Sequence, residues 1–102
     1  MIDELEANRE TIAALCLRFG ATSLSVFGSA VDGSFDPLTS DLDFLVRFDS
    51  ASSHSRFDAF FGLKEALEEL FSRPVDLISV ESIENPYFAS VVDETRHELY
   101  AA

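Results

Sequence analysis

The spacing of apolar residues along the chain predicts two helices. Apolar residues recur at helical spacing over 3–19, and Gly20 follows as a residue suited to a helix C-terminus. The apolar residues are Ile2, Leu5, Ile12, Leu15, Cys16 and Phe19. The same period returns over residues 57–71 and ends before Pro74. Each segment is predicted to be an amphipathic helix that packs one face against a core.

Alternating apolar and polar positions predict strands between and after these helices. The clearest alternation runs over residues 41–48, where the even positions are all apolar. Shorter apolar runs predict further strands at 24–27 and 75–80, and a short last strand at 99–100. Pro86 is predicted to open a final helix in its first turn.

This order of elements predicts an α/β chain, more narrowly α+β. The expected fold is a small mixed β-sheet with helices packed on one face. A length of 102 residues suits a single domain over 1–102 with one core.

Composition narrows the possible partners. The net charge is −12, from 7 basic and 19 acidic residues, which disfavours direct binding to a nucleic-acid backbone. No apolar run approaches the roughly 20 residues of a membrane span. Cys16 is the single cysteine, so no internal disulfide can form, and this usage suits the cytoplasm.

Two acids begin the clearest strand. Asp41 and Asp43 project from the same strand face, where their carboxylates repel each other. A divalent cation such as Mg²⁺ or Mn²⁺ would relieve that repulsion. The alternative is a solvated strand face that carries two acids, and a lone Asp-x-Asp would favour this alternative.

A third acid favours the metal site over the solvated strand face. Asp76 lies in the apolar run 75–80. If this strand pairs beside the Asp41–Asp43 strand, three carboxylates can clamp two metal ions about 3.5–4 Å apart. The alternative is an acid at the start of an edge strand.

A glycine and a serine end the strand predicted at 24–27. Gly28 would let a ligand approach the backbone closely, and Ser29 could cap a following turn whose N–H groups face an anion. A plain turn is the alternative. The Gly-Lys-Ser/Thr of a Walker loop and the Gly-x-Ser-x-Gly of a hydrolase elbow are both absent.

Together these motifs resemble a known family. Gly28-Ser29, eleven further residues, Asp41-Leu42-Asp43 and then Asp76 on a later strand resemble the polymerase-β-like nucleotidyltransferase superfamily. The length and layout are similar to its smallest branch, the minimal nucleotidyltransferases (MNT) of prokaryotes. The resemblance covers nearly the whole chain, including the helix start at Asn85-Pro86-Tyr87.

The resemblance implies an enzyme and a set of site residues. Members use ATP and two Mg²⁺ ions, with Mn²⁺ as a substitute, to transfer a nucleotidyl group to an acceptor hydroxyl. Gly28 and Ser29 would hold the β- and γ-phosphates. Asp41 and Asp43 would bind both metals, and Asp76 would bind the metal that activates the acceptor and is a candidate base.

The resemblance also implies a partner. Many minimal members pair with a helical HEPN-family toxin encoded beside them, and some place AMP on a toxin tyrosine. This chain would then be a cytoplasmic antitoxin in a homo- or hetero-oligomer.

One departure from the family pattern keeps a second hypothesis open. Many relatives carry a basic residue in the loop where this chain has Asp32, and an acid beside a triphosphate is unfavourable. The second hypothesis is a weak or inactive antitoxin that neutralises its partner by binding alone. Arg47 and Arg73 are interpreted as ordinary surface arginines.

Other polar and aromatic residues receive structural interpretations. Cys16 is predicted to be a core residue, and His97 is placed on a late helix without metal-ligand neighbours. Glu65, Glu68 and Glu69 are interpreted as a solvated helix face. The aromatic residues of the second helix are predicted to be core, with any exposed member marking a partner or self-association surface. They are Phe57, Phe60, Phe61 and Phe71.

Overall fold

The computed structural model describes residues 2–28, 31, 41–48, 56–80 and 96–102. The final helix predicted from Pro86 lies outside these residues, as do Ser29 and Asp32. The helices and strands of the described part are α1 (Ile2–Ala7), α2 (Arg9–Phe19), β1 (Ala21–Phe27), β2 (Leu42–Phe48), α3 (Arg56–Phe71), β3 (Val75–Ser79) and β4 (His97–Ala101).

The strands form one mixed sheet in the order β3-β2-β1-β4. Strand β1 pairs antiparallel with both β2 and β4, whereas β2 and β3 are parallel. Parallel neighbours need a long crossover, and α3 supplies it between β2 and β3. The predicted α+β class and mixed sheet are confirmed.

The main core lies between the helices and one face of the sheet. Leu42, Phe44 and Val46 of β2 are completely buried there, together with apolar residues of all three described helices. The predicted core position of Cys16 is confirmed, and burial raises the pKa of its thiol to about 12. No helix in the described ranges is long and apolar enough to cross a bilayer.

The single helix predicted over residues 3–19 is wrong, because the chain breaks at Asn8. The Asn8 side chain donates to the Glu4 carbonyl at 2.8 Å, and its backbone N–H donates to Leu5 at 3.2 Å. An asparagine amide competes in this way with the helical hydrogen bonds. Helix α2 then begins with the bond from the Ile12 N–H to the Asn8 carbonyl, at 2.9 Å.

The placement of His97 on a helix is also wrong, because His97 begins strand β4. Its Nε2 lies 2.6 Å from Oε1 of Glu6, whose carboxylate also accepts two hydrogen bonds from Arg9. Arg9 donates in addition to the carbonyls of Glu98 and Leu99. These bonds, first those from Arg9 and then that from His97, lower the pKa of Glu6 to about 2.

Candidate active site

Strand β2 separates a packed face from a polar face. Because side chains alternate along a strand, the face opposite the helices carries Asp43, Leu45 and Arg47. Asp43 is half-buried and Asp41, just before the strand, is exposed. A small apolar cluster that contains Phe27 and Leu45 lies on this same face, and Phe27 pairs with Asp43 across β1 and β2.

The structure places the predicted third strand directly beside β2. In the parallel pairing of β2 with β3, Asp43 lies opposite Asp76. The Leu42 N–H donates to the Pro74 carbonyl at 3.2 Å, which fixes where this pairing starts. The two acids therefore lie on neighbouring strands at the same level of the sheet, and Asp76 is exposed.

The carboxylates interact electrostatically. Burial raises the pKa of Asp43, and the negative charges of Asp76 and then Asp41 raise it further. Both neighbours therefore lie close enough to repel an ionised Asp43. The other two acids that the sequence analysis selected therefore both lie near Asp43.

Gly28 closes one side of this group of acids. The preceding residue, Phe27, pairs with Asp43 across β1 and β2. A Cβ atom added to Gly28 would lie only 2.8 Å from Oδ2 of Asp43, and the Gly28 φ of +74° is a left-handed value that favours glycine. The Gly28 carbonyl accepts from the Val31 N–H at 3.0 Å, so the chain turns immediately after the strand. Backbone and carboxylate thus meet without an intervening side chain.

The donor set fits a hard divalent cation in charge and ligand type. All three acids offer only oxygen ligands, which Mg²⁺ and Mn²⁺ prefer, and a cation would offset the repulsion that raises the Asp43 pKa. Within the described ranges, no three His, Cys, Asp or Glu side chains are already arranged as a metal site. Asp41 and Asp76 are exposed, so their side chains have room to change rotamer around a cation.

The two arginines considered for phosphate binding differ in their surroundings. Arg47 is exposed on β2. Nη1 of Arg73 lies 3.7 Å from Oε2 of Glu4, which links the start of β3 to α1. The Arg73 side chain is only 21% exposed, so this residue makes a structural contact with α1 and is less exposed than the ordinary surface arginine expected from the sequence.

The interpretation of Glu68 as part of a solvated helix face is wrong. Its Oε2 accepts from the Val75 N–H at 3.2 Å, and its Oε1 lies 3.3 Å from Nζ of Lys64. Only the Glu68–Lys64 spacing of four residues was visible in the sequence, and it gives no sign of the bond to the next strand.

Comparison with known proteins places this geometry in a family. The model of the nucleotidyltransferase domain family matches residues 9–98, a range that contains all three acids and Gly28. A candidate protein adenylyltransferase from Methanocaldococcus jannaschii is 34% identical over 77 residues, which are 76% of this chain and 75% of that protein. The solved structure of a candidate minimal nucleotidyltransferase has a TM-score of 0.76 and 34% identity, covering 93% of this chain and 92% of that chain.

A more distant structure shares the fold. A chain in the complex of a tri-AMPylated HEPN toxin of Shewanella oneidensis with an MNT antitoxin has a TM-score of 0.64 and 20% identity. That match covers 96% of this chain and 73% of the other. The protein therefore belongs to the nucleotidyltransferase domain family and is a nucleotidyltransferase with the minimal form of that fold.

Proposed function

We propose that this chain is a Mg²⁺-dependent protein adenylyltransferase whose single domain spans residues 1–102. It transfers AMP from ATP to a tyrosine hydroxyl of a HEPN-type toxin and acts as the antitoxin of that pair in the cytoplasm. The observation that carries the proposal is the pairing of Asp43 with Asp76, with Gly28 lying against the Asp43 carboxylate.

The three acids divide the work of the transfer. Asp41 and Asp43 would ligate two divalent ions, and Asp76 would share one of them. Bound Mg²⁺ or Mn²⁺ neutralises phosphate charge and lowers the barrier to attack at phosphorus. Asp76, which is exposed, can approach the acceptor hydroxyl and take its proton.

The reaction is a displacement at the α-phosphorus of ATP. A bond forms between the tyrosine oxygen and this phosphorus, the bond to the bridging oxygen of the β-phosphate breaks, and pyrophosphate leaves. Such transfers depend on alignment and charge neutralisation more than on a protein nucleophile.

Gly28 would hold the leaving pyrophosphate through its backbone. The missing side chain leaves room for the Asp43 carboxylate, whose Oδ2 would lie 2.8 Å from a Cβ atom at this position, and the β- and γ-phosphates would bind the backbone beside that carboxylate. Ser29, the next residue, would donate its hydroxyl to the same phosphates.

A partly aromatic surface on α3 supports a protein partner. Phe57 and Phe61 are 69% and 43% exposed, and their ring centroids lie 4.7 Å apart. Further along the same helix face, Glu65 and Glu69 are exposed. Aromatic side chains next to carboxylates fit a helical partner with apolar and basic residues, and distant structural relatives were solved as toxin–antitoxin complexes.

Intact mass spectrometry tests the proposal. A HEPN-type protein encoded beside this gene is incubated with the chain, ATP and Mg²⁺, and it should gain one or more AMP units. Asp43→Asn should abolish the gain, whereas Glu10→Gln, an exposed acid on α2, should leave it unchanged. Equal activity of the Asp43→Asn variant would overturn the site assignment.

Binding without catalysis is the second candidate function. Asp32 stands in the sequence where many relatives of the family carry a basic residue, and an acid there would oppose the binding of a triphosphate. A tight complex with the toxin, with no mass change and undiminished neutralisation by the Asp43→Asn variant, would favour this function over transfer.

A further inference from the structure

The start of strand β3 has a hydrogen-bond donor that the sheet does not use. Since the Pro74 carbonyl accepts from Leu42 of β2, the next peptide N–H along the strand, that of Val75, points away from β2. A strand N–H that faces outward needs water or a side chain as its acceptor. Oε2 of Glu68 is that acceptor, at 3.2 Å.

The Glu68 carboxylate is itself held in place. Its other oxygen, Oε1, lies 3.3 Å from Nζ of Lys64, one turn earlier on α3, and both side chains are about one-third exposed, at 33% and 31%. An ion pair at this spacing restricts the rotamers of both residues, although exposed pairs add little stability. Glu68 therefore presents a fixed acceptor to the strand.

The connection that follows α3 is short. The helix ends at Phe71, Ser72 adopts a left-handed φ of 52°, and β3 begins at Val75. The bonds from Leu42 to Pro74 and from Val75 to Glu68 therefore hold the chain on both sides, immediately before Asp76.

We infer that Glu68 is a positioning residue for Asp76, because it fixes the strand start that brings Asp76 opposite Asp43. This inference rests on the proposed nucleotidyl transfer. Glu68 does not touch the reacting atoms in this scheme. It acts through Val75, the residue directly before Asp76 in the chain.

Removal of the acceptor should affect the chemical step more than ATP binding. In Glu68→Ala the Val75 N–H loses its side-chain partner, and Asp76 is held less firmly opposite Asp43. Small displacements of a catalytic group can cost roughly a hundredfold in rate, so we expect kcat to fall by about 10- to 100-fold. KM for ATP should stay within about twofold, because Gly28 lies on the other side of Asp43.

Glu68→Gln is the variant that separates positioning from charge. It keeps an oxygen that can accept from Val75 but loses the charge paired with Lys64, so most of kcat should return. Glu10→Ala, at an exposed acid on α2 outside both the acidic site and the proposed partner surface, is the control and should behave as the wild type.

The experiment combines transfer kinetics with amide hydrogen exchange of the chain without nucleotide. Glu68→Ala should lower kcat and speed exchange at Val75 and Asp76 by tenfold or more, and Glu68→Gln should reverse both effects. Unchanged exchange at Val75 would overturn the inference. So would wild-type kcat in Glu68→Ala, or an equal loss in Glu10→Ala.

The exchange measurement distinguishes a failure of the proposed nucleotidyl transfer from a failure of the positioning role of Glu68. A wild-type chain that transfers no AMP would defeat the proposed function. The Glu68 contact would then be judged by exchange alone: faster exchange at Val75 and Asp76, reversed in Glu68→Gln, supports it, and unchanged exchange refutes it.

Discussion

The two faces of strand β2 contribute differently to the stability of the fold. On the helix-covered face, Leu42, Phe44 and Val46 are fully buried in the main core. On the other face, Asp43 is half-buried beside two acids that repel it, and a left-handed Gly28 lies against its carboxylate. Leu45 packs with Phe27 on this second face, so the unfavourable part is confined to Asp43 and its acidic neighbours.

This difference shows how a small chain can hold like charges together. Burial of apolar groups on one side contributes about 25 cal/mol for each Å² removed from water, which offsets the repulsion on the other side. The backbone that carries Asp43 is held firmly because the immediate neighbours of Asp43, Leu42 and Phe44, are buried in the core. The polar face is therefore where substitutions can change chemistry while the fold survives.

The largest expected effect comes from breaking the packed face. Phe44 is completely buried, and its ring lies 6.3 Å from that of Phe71. Phe44→Ala should lower the free energy of unfolding by about 3–5 kcal/mol, through lost burial and the cavity left behind. Urea unfolding followed by circular dichroism measures this change, and a loss below about 1 kcal/mol would contradict the core assignment.

The next largest effect tests the close approach on the polar face. Gly28→Ala puts a methyl group 2.8 Å from Oδ2 of Asp43 at a φ of +74°, so it should cost about 1–3 kcal/mol. Affinity for Mg²⁺-ATP should also fall, as measured by calorimetry.

Gly62 provides the matched control on the helix side. A Cβ atom there would meet the Phe19 ring at 2.5 Å, so Gly62→Ala should also lower stability. ATP affinity should be retained, because Gly62 lies on α3, away from the acids. Equal losses of affinity in both variants would show that Gly28 has no special place beside the ligand.

The pH dependence of stability should differ between Glu6, at the contact of α1 with β4, and Asp43, on the polar face of β2. Arg9 and then His97 lower the pKa of Glu6 to about 2, from an ordinary 4.5. Glu6 therefore stabilises the fold above pH 4.5, and this contribution is lost as the pH falls toward 2. Thermal unfolding at pH 7 and pH 3 should show a smaller difference for Glu6→Gln than for the wild type, and an identical difference would contradict the assignment.

Asp43 should show the opposite sign and the smallest effect. Its pKa is raised, so its ionisation in the folded state costs free energy, and stability falls as the pH rises through that pKa. Without metal at pH 7, Asp43→Asn should match or slightly exceed the wild-type unfolding temperature. A drop of several degrees would show that the Asp43 carboxylate stabilises the fold.

The sequence predicted the strand that carries this contrast because its signal is local. A period of two over residues 41–48 assigns each side chain to a face, and the face that packs follows from its apolar residues. The neighbouring position of Asp76 could be expected only conditionally, since strand pairing depends on the whole fold. The pairing of β2 with β3 met that condition.

The features that the sequence did not reveal depend on individual hydrogen bonds. The break at Asn8 arises from a side-chain amide that bonds the Glu4 carbonyl, and the apolar residues on either side, Leu5 and Ile12, still keep the seven-residue spacing of a continuous helix. The short last strand predicted at 99–100 lies within β4, but its extension to His97 depends on pairing with β1, which no local pattern shows. Glu68 reaches Val75 across a turn, which helical spacing cannot predict.

The contacts of Arg9 bear on how the molecule behaves at high concentration. Strand β4 lies at one end of the described sheet, and such strands can recruit a strand from another molecule. Arg9 already occupies the Leu99 carbonyl at 3.0 Å and the Glu98 carbonyl at 3.1 Å. Fewer main-chain acceptors then remain for a neighbouring chain, so the same arginine that anchors the helices also opposes aggregation through this edge.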